Sequence, residues 1–244
     1  MPGSGRAPVR RAAGRTKLGR PEGNGGNVRE AMLDAAEVVF SELGYAGTTL
    51  REVAQRAQGT QALVSYYFGS KYGLFEEVFL RRGRKISEAR SLNLANLRKK
   101  GPLQAREIVA AFLTPTLALR ATPEGRAFIR LQARLHTEPP EISYKLRNDA
   151  YDVSTREYVQ AVCEALPHLS QKDAFWRITL VVGAYLYAFS DTHRLDQLSG
   201  GTCDPDDSEE ILAQATAFIV GGLEAPSIDA RARRGGRKGA RSTA

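Results

Sequence analysis

The chain has 244 residues, a net charge of +8, 42% hydrophobic and 25% charged residues. That length allows one or two domains with a substantial core. No stretch approaches the ~18 apolar residues of a membrane span, and the N-terminus has no apolar core of a signal peptide, so a cytoplasmic, nucleoid-associated protein is expected.

The charge is concentrated at the ends. Residues 1–26 carry six Lys or Arg against Glu22, and residues 230–244 carry six with no acid, which leaves a mildly acidic body between two basic tails. Both tails are rich in Gly, Arg or Pro and are expected to be disordered. Such tails suit a polyanion, although solubilising tails have the same composition. Gly19-Arg20-Pro21 resembles the core of a minor-groove hook, but Leu18 precedes it, so a non-specific arm carrying Arg20 is the expected role.

Between the tails nearly every segment has helical period, and no alternating Val/Ile/Thr run predicts a strand. The fold class is therefore all-α. Asn27 and Glu30 stand in capping-box relation at the start of a first helix. Val28, Met32, Ala35, Ala36, Val39, Phe40 and Leu43 line one face of it, and Gly44 ends it. Thr49 and Glu52 cap a second helix that buries Leu50, Val53, Ala54 and Ala57. Thr60 caps a third, which closes near Tyr67, and Ser70 caps a long fourth running towards residue 99. Further helices are expected at about 103–120, 123–136, 141–165, 171–194 and 208–223. Pro115 should kink the first of these, and Gly221-Gly222 should end the last.

Residues 48–71, TTLREVAQRAQGTQALVSYYFGSK, thus form two short amphipathic helices around a turn of about four residues. This is the pattern of a helix-turn-helix, which sets its second helix in the DNA major groove. A reading helix needs inward apolar residues and short or flat outward ones. Val64 and Phe68 supply the first. Gln61 can pair with adenine, Ala62 allows close approach, Leu63 can touch a thymine methyl and Ser65 donates or accepts. Tyr66 and Tyr67 bring hydroxyls within reach of phosphates. Thr49, Thr60 and Lys71 sit at helix N-termini, which favour phosphate.

Residues 28–79 resemble the DNA-binding domain of TetR-family transcriptional regulators. Ala35-Ala36, Phe40, Gly44-Tyr45, Thr48-Thr49, Val53-Ala54, Ala57, Tyr67-Phe68, Ser70-Lys71 and Leu74-Phe75 carry the likeness. The resemblance implies an all-α homodimer with a three-helix DNA-binding head and a larger helical domain that binds an effector. It assigns Gln61, Ala62, Leu63, Ser65 and Tyr66 to the bases or groove, and Thr49, Thr60, Tyr67 and Lys71 to phosphates. Two residues depart from the pattern. Gln58-Gly59 stands where the family has Gly-Val, and Ser65 replaces a frequent tyrosine.

The implied organisation is a basic arm over 1–26, the head over 27–70, the helical ligand-binding and dimerisation domain over 71–224, and a basic tail over 225–244. The resemblance puts the dimer contact on the helices at 171–194 and 208–223. Their apolar stripes are Phe175, Ile178, Val182, Tyr185 and Phe189, and Ile211, Leu212, Ala215, Ile219 and Val220. Core packing within one chain would give the same stripes. Candidate effector-lining residues are Phe79, Phe128, Gln132, His136, Tyr151, Trp176 and Tyr185, and they suggest a hydrophobic, aromatic or acyl effector.

No cofactor or metal is expected. Cys163 and Cys203 have neither zinc nor disulfide-framework spacing. His136, His168 and His193 are scattered, and no catalytic constellation supports an enzyme. The expected partners are an operator duplex, a small-molecule effector and a second copy of the chain. The expected function is a ligand-responsive regulator, most simply a repressor. An effector-independent architectural DNA-binding protein is the alternative.

Overall fold

The computed structural model describes residues 25–190 and 193–227. Regular structure among them is entirely helical. It comprises α1 (Gly25–Gly47), α2 (Leu50–Arg56), α3 (Gln61–Phe68), α4 (Lys71–Lys100), α5 (Ala105–Leu117), α6 (Pro123–Leu135), α7 (Pro140–Ala165), α8 (Gln171–Ser190), α9 (His193–Ser199) and α10 (Ser208–Glu224). A short 3-10 turn, Ala118–Ala121, follows Pro115-containing α5. Arg20 and its Gly-Arg-Pro segment lie outside the described residues, as does most of the basic tail.

Two apolar clusters organise the molecule. The first joins Met32, Phe40, Val53, Val64 and Phe68 of α1–α3 to Phe75 and Phe79 of α4. It also takes in Phe128, Leu131 and Leu135 of α6 and Leu146 of α7. The second gathers Phe112 of α5, Ile129 of α6, Tyr158 of α7, Tyr185 and Phe189 of α8 and Ile219 of α10. Helices α4, α6 and α7 therefore contribute to both clusters. An ion-pair lattice reinforces the α1–α4 contact. Arg81 reaches Glu30, Asp34 and Glu37, and Arg82 reaches Glu37 at 2.6 Å. Glu37 is fully buried, and burial pushes its carboxyl above its usual range against the pull of Arg82 and Arg81.

Several boundaries differ from the sequence reading. Helix α1 begins at Gly25 and runs through Asn27, so Asn27 is not its cap. Gly44 leaves the helical conformation with φ 73°, a region that costs a residue with a Cβ. The last helix passes through Gly221-Gly222 and ends at Glu224. Buried Leu223 docks on the second cluster, and Arg177 donates to the Leu223 and Pro226 carbonyls, which caps that end. The residues after it are held too: Ser227 is buried and donates at 2.9 Å to Asp173, which pairs reciprocally with Ser170 at the start of α8. Finally, α8 stops at Ser190, short of the expected end near 194, and a separate short helix that was not expected, α9, starts at His193; none of its residues is buried.

Candidate nucleic-acid interface and cavity

The helix-turn-helix is built by local hydrogen bonds. Thr49 and Glu52 form a reciprocal capping box on α2. The Glu52 amide donates to the Thr49 hydroxyl, while the Thr49 amide and hydroxyl both donate to the Glu52 carboxylate at 2.7 and 2.8 Å. Those bonds from Thr49 hold the Glu52 carboxyl below its usual range. The Thr60 hydroxyl accepts from the Leu63 amide and caps α3.

The turn between them resolves the displaced glycine. At the end of α2 the Gly59 amide donates to the Ala54 carbonyl at 2.8 Å and the Gln58 amide to the Gln55 carbonyl at 3.2 Å. This is a Schellman closure, which needs a left-handed residue at the position Gln58 occupies. Gln58 adopts φ 54° and accepts the strain that a glycine would avoid. Gly59 meets a different demand, since a Cβ there would come within 3.1 Å of Met32 Cε.

Helix α3 divides as the sequence suggests. Val64 and Phe68 are buried, with Arg29 over the Phe68 ring. Gln61, Ala62 and Tyr66 are exposed, Tyr66 at 72%, and Leu63, Ser65 and Tyr67 are half-buried. Tyr66 and Tyr67 meet edge to face at 5.4 Å.

Two of the expected phosphate contacts already have work inside the protein. The Thr49 hydroxyl and amide are committed to Glu52. Lys71 lies over the Tyr45 ring at 4.7 Å and donates to the Ala46 carbonyl at 3.1 Å, which ties the start of α4 to the end of α1. Arg51, unnoticed in the sequence, is exposed on α2 and in no ion pair among the described residues. Its signal was its position two residues after Thr49, in the first turn of α2.

A second site lies in the body. A cavity of about 820 Å³ opens between α6, α7 and α8, with α4 contributing Arg90. Gln132, His136, Tyr151 and Tyr185 line it together. Phe79 and Phe128 do not; they pack in the first apolar cluster, with Phe79 5.9 Å from the Tyr151 ring. Trp176 does not either, because it is 64% exposed on the outer side of α8. The Gln132 amide donates to the Tyr185 hydroxyl at 3.3 Å. Burial pushes the Tyr151 hydroxyl well above its usual range. His136 Nδ1 stands 3.1 Å from Arg147 at the rim. Partial desolvation of the ring, with the Arg147 charge adding to it, holds that imidazole below its ordinary range, although the residue as a whole is exposed.

Arg90 was the residue that sequence reasoning missed. Phe79, Gly83, Ile86, Arg90 and Leu94 fall at steps of four, three, four and four along α4, so an arginine stands at an inward position. Among the described residues no cluster of His, Cys, Asp and Glu could hold a metal ion, and no helix is long and apolar enough to cross a membrane.

Comparison with known proteins agrees with this arrangement. Residues 32–78 match the model of the bacterial regulatory proteins, tetR family. Residues 110–222 match that of the tetracyclin repressor-like C-terminal domain. The chain belongs to the tetR family.

Curated relatives match over part of the chain. The HTH-type transcriptional regulator BetI of Paraburkholderia xenovorans (strain LB400) is 37% identical over 83 residues. The BetI of Burkholderia ambifaria (strain MC40-6) is 39% identical over the same length. Each match covers 34% of this chain and 43% of the relative, so the chain spans less than half the length of these relatives. Among solved structures, a TetR-like transcriptional regulator from Rhodococcus sp. RHA1 superposes with a TM-score of 0.56 at 21% identity, over 84% of this chain and all of that one. A tetR-family protein from Shewanella sp. PV-4 gives 0.57 at 17%, over 80% and 96%. These two likenesses are of fold.

The outer side of this tetR-family body carries an apolar face. Of the stripes expected to meet a partner, Ile178, Tyr185 and Phe189 of α8 and Ile219 of α10 are buried in their own chain, Phe175 is 44% exposed, and Val182, Ile211, Leu212, Ala215 and Val220 are half-buried. The most exposed apolar residues lie beside those stripes. Trp176, Leu180 and Tyr187 of α8 are 64%, 67% and 74% exposed, and Phe218 of α10 is 74% exposed. At Gly183, Gly221 and Gly222 a Cβ would meet nothing within 4 Å.

Proposed function

We propose that the protein is a homodimeric transcriptional repressor that holds a near-palindromic operator through α3 and releases it when a small effector fills the cavity. The observation that carries this reading is α3 itself. It has a buried docking side of Val64 and Phe68 and an outward side of Gln61, Ala62, Leu63, Ser65 and Tyr66 that suits base edges. Thr60, Tyr67 and Arg51 are the phosphate contacts this geometry favours, with Thr49 and Lys71 acting mainly as supports. The exposed stripe on α8 and α10 supports dimerisation, because two heads are needed to meet two half-sites about one helical turn apart. Residues 27–70 act as the head and 71–224 as the body, with α4 continuous from one into the other. The site of action is the nucleoid in the cytoplasm.

Release requires that the effector prefer one conformation of the dimer. Helices α4 and α6 suit that coupling, as each carries one side to the head cluster and a residue to the cavity. A hydrophobic, aromatic or acyl effector fits the tyrosines and aliphatic residues around it. The alternative, an architectural protein with no effector, gives no reason for a cavity with buried polar groups.

The test is selection of genomic fragments with the purified full chain, followed by competition against random duplex at fixed salt. Recovery of a near-palindrome bound at least about 1,000-fold more tightly than random DNA is expected. Equal affinity for both would overturn the reading in favour of the architectural one.

A further inference from the structure

Most buried arginines lie against a carboxylate, because an unpaired buried charge is costly. Arg90 does not. It is 1% exposed, and no carboxylate lies within ion-pair distance among the described residues. Its Nε donates to the Phe112 carbonyl at 2.9 Å and its Nη2 to the Thr116 hydroxyl at 3.2 Å. The guanidinium lies 3.7 Å from the Phe112 ring centre and 5.4 Å from that of Tyr185. Two of its five N–H groups are thus committed to neutral acceptors, and the side chain lines the cavity.

The rest of the lining has unmet polar capacity of its own. Six buried side-chain polar atoms among the described residues have no hydrogen-bond partner, and three of them belong to cavity residues. These are Gln132 Oε1, the Tyr151 hydroxyl and Arg147 Nε. The Tyr151 hydroxyl lies so close to α4 that a Cβ at Gly83 would stand 3.2 Å from it. A buried group of this kind costs stability unless something completes it. The acid in the lining, Asp152, is paired with Arg156 at 3.3 Å at the surface. The cavity therefore offers positive charge, two unmet groups that can donate (the Tyr151 hydroxyl and Arg147 Nε) and one unmet acceptor (Gln132 Oε1) on apolar walls, with its one acid paired elsewhere.

From this geometry we infer that the effector is an organic monocarboxylate with an aryl or alkyl body, and that Arg90 is the counter-ion of its carboxylate. The inference rests on the reading of the cavity as an effector site and names its ligand class. The carboxylate accepts from Arg90 and from the Tyr151 hydroxyl. A half-turn of the Gln132 carboxamide lets its oxygen accept from Tyr185 and its nitrogen donate to the ligand. The apolar body lies between Tyr185 and the Ile178 and Leu186 side chains, towards Arg147 at the rim.

The same pairing explains how occupancy reaches the head. Arg90 lies on α4 about 28 Å from Lys71, at 1.5 Å per residue, and the start of α4 is fastened to α1 by Lys71. A carboxylate that draws on Arg90 and Tyr151 acts on α4 and α7 together, and so favours one setting of the helix that carries the head.

The test is calorimetric titration of the full chain with two matched pairs of probes. They are octanoate with octanamide, and 1-naphthylacetate with 1-naphthylacetamide. At least one acid should bind about 30-fold more tightly than its amide, the worth of a charge-assisted hydrogen bond. Arg90→Met should bring the two within about threefold. Because Arg90→Met also strips partners from Phe112 and Thr116, Tyr151→Phe serves as the second variant. It removes the hydroxyl and keeps the ring that packs against Phe79, so the melting temperature should hold within about 2 °C while the acid is weakened about tenfold. Amides that bind as tightly as acids would overturn the carboxylate inference and leave the effector reading standing. Preference for the acid that survives Arg90→Met would overturn the role of Arg90. Failure of both acids and both amides to bind at millimolar concentration would overturn the effector reading and this inference together.

Discussion

The head and the body of this molecule use polar groups in opposite ways. In the head they are spent close to home: Thr49 on Glu52, Thr60 on the Leu63 amide, Lys71 on the Ala46 carbonyl. In the body cavity they converge from four helices and are left incomplete, with Arg90 uncompensated and Gln132 and Tyr151 unmet. A surface that must dock on DNA as a rigid unit benefits from satisfied local bonds. A site that must respond to a ligand benefits from groups the ligand completes.

The largest expected effect tests whether the head stands on its apolar cluster. Phe40 is fully buried and meets the Phe75 ring at 4.8 Å. Phe40→Ala should cost about 4 kcal/mol in urea unfolding and abolish operator binding. A loss under about 1 kcal/mol would mean the capping bonds, not the cluster, hold the head. Next comes the α1–α4 lattice. Glu37→Ala leaves Arg81 and Arg82 without their shared buried acceptor and should cost about 2 kcal/mol; the same substitution at exposed Asp34 should cost under about 0.5 kcal/mol.

Gln61→Ala asks whether the satisfied head also reads sequence. It should relax preference at one base pair per half-site by about 1–2 kcal/mol, seen as a changed operator logo, and leave the salt slope intact. Arg51→Ala should do the reverse, lowering the slope by about one without changing the logo. An unchanged slope would remove Arg51 from the phosphate contacts.

The smallest effects concern strain and protonation. Gln58→Gly should stabilise the chain by about 0.5–1 kcal/mol in urea unfolding, since it relieves a left-handed residue at some cost in unfolded-state entropy. Protonation of His136 provides the pH-dependent counterpart in the cavity. Its folded pKa lies below the unfolded value, so the unfolded chain binds more protons and stability falls as pH drops below about 6.5. His136→Gln should flatten that part of the stability–pH curve, and an unaltered curve would show that the ring is not held neutral.

The contrast also explains what could be read from the sequence. The head was legible because its determinants lie within four residues of one another: Thr49 with Glu52, Thr60 with Leu63, Val64 with Phe68. Even the odd Gln58-Gly59 turn was visible, though the sequence could not say that Gln58 would take the left-handed position while Gly59 made room for Met32. The cavity depends on contacts across 42 to 95 positions of sequence, between Arg90, Gln132 and Tyr185. Helical period put aromatic residues near the right places but could not separate Tyr151, which lines the cavity, from Phe79, which packs 5.9 Å from its ring in the first apolar cluster. It also could not choose the outward stripe on α8. Ile178–Tyr185–Phe189 and Trp176–Leu180–Tyr187 are both apolar at helical spacing, and only packing against α6, α7 and α10 decides which is buried.

The claim that joins the two regions is that a completed cavity and a DNA-bound head oppose each other. Linkage makes this reciprocal: a ligand that weakens operator binding must itself be weakened by operator to the same degree. The direct measurement is the calorimetric affinity of the full chain for octanoate or 1-naphthylacetate, whichever binds, with and without saturating operator duplex. The account predicts binding at least about tenfold weaker in the presence of operator. The same affinity in both states would contradict it, because it would mean that the cavity and the head do not communicate.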